Sequence, residues 1–198
     1  MSSNLAKLIS IFLIGVAGCR PAELVTEETG EEPDRITWTE CSYQIGDHIC
    51  NLELQDQNGN LFKLYDYVGQ PIILDFSTMW CGYCQVAAAD VASVQSRYDN
   101  KDLVYATVLV ENTSGNPATV EDCSNWASLF GIINSPVLAG DRSVIDSSGQ
   151  SGAPITGWPT FLFIDRDMRI VSFLRGYSSQ ALEQEIQGII AKDDQASE

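Results

Sequence analysis

A chain of 198 residues, 44% of them apolar, has room for one domain of ordinary size, a targeting segment and a tail. Eleven Lys and Arg stand against 27 Asp and Glu, for a formal net charge of −16; a phosphate-binding surface needs clustered cations, so nucleic acid is excluded as a partner. The single histidine, His48, cannot build a histidine metal centre alone, and no metal site is expected.

Near the N-terminus, Lys7 precedes an apolar run over residues 8–18. A membrane-spanning helix needs about 20 apolar residues, so this run has the length of a signal-peptide core instead. It ends in Val16-Ala17-Gly18-Cys19, small residues leading to a cysteine, which resembles the bacterial lipobox. By that resemblance Cys19 becomes the mature N-terminus and carries acyl chains, two or more of which anchor a protein stably. The alternative is an ordinary secretory signal with Cys19 incidental. Arg20 stands where inner-membrane retention often uses Asp, which points to the outer membrane.

The expected organisation is a signal peptide over 1–18, an acidic flexible tether over 19–40, a globular domain over 41–192 and an acidic tail over 193–198. Within the domain, 51–55 alternates, 56–60 (Asp-Gln-Asn-Gly-Asn) is turn chemistry and 61–64 resumes, predicting a hairpin. Residues 72–76 and 103–110 are continuously apolar and predict buried strands, with a helix over 82–98 between them. A second helix is expected from Pro117 to Phe130, opened by Asn116-Pro117 and closed by Gly131. Residues 134–157 form a looser stretch around Val137-Leu138. Strands at 160–164 and 170–174 make a second hairpin, and an amphipathic helix covers about 178–192. This order predicts an α/β fold, a mixed central sheet flanked by helices with an N-terminal β-hairpin extension.

Trp80-Cys81-Gly82-Tyr83-Cys84 falls between the first buried strand and the helix that follows it. Two cysteines at that spacing can close a small disulfide ring. The helix start aims backbone N–H groups and the positive end of its dipole at the first sulfur, and a thiolate is the form that attacks disulfides. Haem attachment through C-x-x-C-H would need His where Gln85 stands, and structural zinc would need a second ligand pair. Asp75 interrupts an apolar strand six residues before Cys81; a buried carboxylate has a raised pKa and can hold a proton near neutrality. Trp80 and Tyr83 flank the sulfurs as candidate recognition surface. Cys41 and Cys50, close together in an oxidising compartment, predict a structural disulfide. Cys123 is then an unpaired buried thiol, the alternatives being a third redox cysteine or a partner for Cys41 or Cys50.

Over about residues 45–192 the chain resembles the thioredoxin fold. More narrowly it is similar to the TlpA/ResA-like group, extracytoplasmic thiol–disulfide oxidoreductases of bacteria that overlap the redoxin family. The residues that carry this are Ile45-Gly46-Asp47, the hairpin around Gly59, Tyr67-Val68-Gly69-Gln70-Pro71 leading into the strand, the C-G-Y-C motif, and Gly157-Trp158-Pro159-Thr160 before the next strand. The resemblance implies that Cys81 attacks, Cys84 resolves, and Asp75 helps to deprotonate Cys84. It also implies a cis Pro159 whose loop, with Trp158 and Thr160, lies beside the dithiol and pairs with an extended partner peptide. Trp158 departs from the small or β-branched residue usual there.

The function expected is a membrane-tethered periplasmic thiol–disulfide oxidoreductase without a cofactor, acting on protein thiols or disulfides and served by a membrane or periplasmic electron donor. The reductase direction is preferred, with disulfide isomerase or oxidase as the alternatives. Another alternative is a redoxin-type thiol peroxidase, since Thr78-Met79-Trp80-Cys81 mimics T-x-x-C, although Leu74 stands where that motif carries a proline. A copper chaperone of this fold would need C-x-x-x-C and a distal His.

Overall fold

The computed structural model describes residues 36–196. The expected signal peptide, Cys19 and most of the expected tether lie outside them. Seven strands and three helices follow in chain order: β1 (Glu53–Asp56), β2 (Leu61–Lys63), β3 (Ile72–Thr78), α1 (Gly82–Arg97), β4 (Val104–Glu111), α2 (Val120–Phe130), β5 (Val137–Ala139), β6 (Thr160–Ile164), β7 (Ile170–Arg175) and α3 (Ser179–Ala196). One mixed sheet runs β2-β1-β5-β4-β3-β6-β7. Its centre is β3, parallel to β4 and antiparallel to β6. Every residue of β3, β4 and β6 is buried, which is why their sequences carry no polar alternation.

All three helices send side chains into one buried cluster: Ala87, Val91 and Val94 from α1, Trp126 and Ala127 from α2, Leu182, Ile186 and Ile189 from α3, packed on Ile73, Tyr105 and Phe161. Strand periodicity sends the intervening residues Ile72, Leu74, Phe76 and Ala106 to the opposite face. There Tyr43, Ile49, Phe62 and Leu64 from the N-terminal segment join Val144 and Ala153 from the loop before β6. The predicted thioredoxin-like architecture is therefore present, and among the described residues no helix is long and apolar enough to cross a membrane.

Three expectations need correction. The second helix starts at Val120, not at Pro117, because Thr119 is its N-cap and forms a capping box with Asp122. That reciprocal pair satisfies two N–H groups at once, while Pro117 sits in a bridge opposite Glu111. The stretch 134–157 contains β5, a three-residue strand inserted between β1 and β4 that joins the N-terminal hairpin to the main sheet. Finally, α3 runs to Ala196, past the expected end at 192.

Candidate active site

β3 ends at Thr78, and a turn through Met79 and Trp80 delivers Cys81 as the N-cap of α1. The Cys81 sulfur accepts a hydrogen bond from the Cys84 backbone N–H at 3.4 Å, and the Cys81 carbonyl accepts from the Gln85 N–H at 3.1 Å. Cys81 is half-buried; Cys84, one helical turn on, is fully buried, and both are free thiols. Burial pushes the Cys84 thiol well above its ordinary range. The hydrogen bond with Cys81 and the charge of Asp75 add to that, while the Thr78 backbone and the Ser77 hydroxyl work against it.

Asp75 lies in the buried middle of β3, on the face that carries the helices. Ser77 Oγ donates to its Oδ1 at 2.6 Å, and Tyr105 OH donates to its Oδ2 at 3.3 Å. Burial dominates and raises its pKa to about 7, against the lowering effect of those two donors. Burial, then the charge of Asp75, drive the Tyr105 phenol well above its usual value. The carboxyl is thus wrapped in hydroxyl groups and electrostatically linked to Cys84.

The loop before β6 reaches the same edge of the sheet. Phe76 pairs with Thr160, so the residues just before Thr160 lie level with the end of β3 that carries the dithiol. The Trp158–Pro159 bond is cis. Trp158 is half-buried and packs against both hydrophobic clusters; no hydrogen bond engages its backbone among the described residues. Pro159 is buried and its carbonyl accepts from the Gly176 N–H at 2.8 Å. Thr160, expected to face a partner, does not do so: it is buried and its hydroxyl donates to the Gly157 carbonyl at 2.7 Å, which shapes the loop from within.

Trp80 and Tyr83 are 49% and 68% exposed on either side of Cys81. The Trp80 indole N–H donates to Glu111 Oε2 at 2.8 Å, and Arg142 holds the other oxygen of that buried carboxylate at 2.5–2.6 Å. Sequence reading missed Ser77, Tyr105, Glu111 and Arg142. Ser77 carried a signal, since Asp75-x-Ser77 places two polar side chains on one face of a strand. Nothing local ties Tyr105 to Asp75, or Glu111 and Arg142 to Trp80.

The remaining sequence candidates lie elsewhere. Cys41 and Cys50 are disulfide-bonded, with Cα atoms 4.9 Å apart. Nearby, His48 stacks on Trp38 with ring centroids 4.2 Å apart and bridges Arg169 in the β6–β7 connection; burial and the Arg169 charge lower its pKa. Cys123 is buried and unbonded in α2, and burial raises its thiol to about 12. Among the described residues no cluster of His, Cys, Asp and Glu could hold a metal ion.

A model of the AhpC/TSA family matches residues 45–173. Among solved structures, the chain is similar to a Chlorobium tepidum protein assigned as the thiol:disulfide interchange protein DsbE. That match has 26% identity and a TM-score of 0.58 over 75% of this chain and 99% of the other. It is also similar to the exposed lipoprotein thioredoxin Etrx1 of Streptococcus pneumoniae, at 24% identity and a TM-score of 0.51, over 70% of this chain and 99% of that one. Peroxidoxin BcpB of Mycobacterium tuberculosis matches at 16% identity and a TM-score of 0.58, over 75% and 97%. These last two likenesses concern the fold. No curated protein matches the chain.

Proposed function

This chain belongs to the AhpC/TSA family and is a thiol–disulfide oxidoreductase, and on that footing we propose that it reduces disulfides of protein partners through Cys81 and Cys84, outside the cytoplasm and on a lipid tether at Cys19. The observation that carries the reading is the order of the groups inward from the surface: half-buried Cys81 at the helix start, buried Cys84 behind it, and buried Asp75, whose charge raises the Cys84 thiol. A peroxide-reducing site needs no buried proton acceptor behind a second thiol; a dithiol exchanger does.

In the reducing direction the Cys81 thiolate attacks one sulfur of the partner disulfide. The partner's other sulfur leaves as a thiolate and takes a proton from solvent. The Cys84 thiol gives its proton to the Asp75 carboxylate, a base tuned to near neutrality. The Cys84 thiolate then attacks the Cys81 sulfur and expels the second partner thiolate. Two electrons pass to the partner, and Cys81–Cys84 is left as a disulfide for an electron donor to reduce. Trp80, Tyr83 and the unpaired backbone of Trp158 are the surfaces on which an extended partner segment can lie. The envelope location and the tether rest on the lipobox-like Val16-Ala17-Gly18-Cys19.

The test is the reduction potential of the Cys81–Cys84 pair together with its trapped state in cells. A potential near the thioredoxin end, about −270 mV, with the pair found reduced, is expected. A value near −120 mV with the pair oxidised overturns the direction and makes the protein an oxidase or isomerase. One observation favours the peroxidase reading as second choice: the Thr78 hydroxyl of T-x-x-C is buried and has no hydrogen-bond partner among the described residues. Sustained peroxide turnover by Cys84→Ser selects that reading; its absence discards it. For the tether, Cys19→Ser moves the protein from the membrane fraction to the soluble one.

A further inference from the structure

We propose that the groove beside the dithiol selects partner segments that carry an Asp or Glu side chain next to the target cysteine, and that Arg175 reads that carboxylate. This rests on the exchange reading above and names the partner chemistry it leaves open. The groove holds about 290 Å³ and is lined by Tyr83, Leu174, Arg175, Gly176, Tyr177 and Ser178. Tyr83 belongs to the C-x-x-C motif itself, and Gly176 is tied to the cis-proline loop through the Pro159 carbonyl. A chain segment whose sulfur meets Cys81 therefore has this groove as its flank.

Arg175 differs from the other arginines of the domain. Arg97 is paired with Glu183 and Arg142 with Glu111. Arg166 and Arg169 donate to backbone carbonyls at the far end of the sheet, those of Gly69 and Lys101 and that of Gly46. Arg175 is exposed, and its guanidinium makes one hydrogen bond, from Nη1 to Thr156 Oγ1 at 3.2 Å. No carboxylate pairs with it among the described residues.

Its stem is held against the cis-proline loop. A Cβ on Gly157 would come within 3.3 Å of Arg175 Cδ, so the bare glycine leaves room for the stem. No acid lines the groove; Asp90 accepts from the hydroxyl of the lining residue Tyr177, and Glu111 holds Trp80 and Arg142. Of the six residues that line the groove, Arg175 is the one with a charged side chain, so the charge of the lining itself is positive. A guanidinium offers parallel N–H donors that match a carboxylate in a fork. The overall negative charge opposes acidic partners at long range, but physiological salt screens it beyond about 8 Å, a distance over which a direct contact still acts.

The test uses the reduced full-length chain and short peptides with one internal disulfide, identical except for Glu, Gln or Lys beside the cysteine. Single-turnover exchange is followed at 0.15 M salt by the change in tryptophan fluorescence. An exposed pair of this kind gives roughly a two- to fivefold faster reaction for the Glu peptide than for the Lys peptide. Arg175→Gln abolishes or reverses that ratio, and Arg175→Lys keeps part of it. Equal rates in the unaltered chain, or a preference that persists in Arg175→Gln, overturn the proposal. The same peptides with Ser for Cys, titrated by anisotropy, report the preference without chemistry. Glu-selective binding that Arg175→Gln removes, with no exchange of any peptide, supports the groove and sinks the exchange reading. Exchange without selectivity sinks the groove alone.

Discussion

Two cysteine pairs in one chain meet opposite fates. Cys41 and Cys50, nine residues apart, are closed into a disulfide. They lie beside Trp38 and His48, on the side where the β6–β7 connection returns, away from the C-terminal end of β3. Cys81 and Cys84, three residues apart, are open thiols at that end, where a helix begins. The first pair has ionisable neighbours, Glu40, Asp47, His48 and Arg169, but none of them is buried. The second has a carboxyl with its pKa near 7, a buried partner thiol raised by burial, and an indole fixed by a buried glutamate. What separates a staple from a reactive pair is a buried ionisable partner rather than solvent-exposed ones, since the sulfur chemistry is the same in both.

That contrast can be broken or sharpened in four ways. The largest effect is expected at the sulfurs themselves: Cys81→Ser removes exchange by more than about 10³-fold, whereas Cys84→Ser still attacks and accumulates a mixed disulfide that gel shift under non-reducing conditions detects. Asp75→Asn slows resolution of that mixed disulfide about 10²-fold at pH 7, read by stopped-flow. Its effect on stability has the opposite sign. The native carboxyl holds its proton up to about pH 7, while the unfolded one releases it near 3.8. Wild-type stability therefore falls as pH rises through that window, and the variant lacks the fall. At pH 8 Asp75→Asn is the more stable protein, by on the order of 4 kcal/mol in urea denaturation.

Cys41→Ser with Cys50→Ser tests the other side of the comparison. Opening a loop of that size costs about 2.5–3 kcal/mol, and exchange by the folded protein stays within about twofold of wild type. A loss of activity beyond that would give the staple a redox role. The smallest effect belongs to Glu111→Gln, which keeps an acceptor for the Trp80 indole but leaves Arg142 without its pair. A shift of Trp80 fluorescence with a two- to fivefold change in exchange rate is expected, since the Arg142 side of the pair is 70% exposed and solvent takes up much of its loss.

The candidate site was partly legible beforehand. The dithiol could be read because strand, motif and helix are contiguous, so local order places Cys81 at the helix start. Asp75 could be read because a charge inside an apolar strand contradicts its setting. Tyr105 could not, because it meets Asp75 across 30 residues and only the β3–β4 pairing joins them. The same holds for Arg142, which reaches Glu111 from 31 residues away. β5 escaped notice because three residues are too few for a period, and its existence depends on the edges of β1 and β4 that receive it. The start of α2 was legible in Thr119-x-x-Asp122, where the proline at 117 drew the reading instead.

By itself, then, the sequence determined the order of elements other than β5, the long buried strands and the chemistry of the C-x-x-C, since each follows from residues adjacent in the chain. Only the tertiary structure decided that Ser77 and Tyr105 would surround Asp75, that the cis-proline loop would lie level with the dithiol, and that Arg175 would stand on the groove with no carboxylate partner among the described residues. Those outcomes depend on sheet register and on which long-range partners survive burial, and an isolated polar group is stabilised or destabilised by neighbours that a local pattern does not contain.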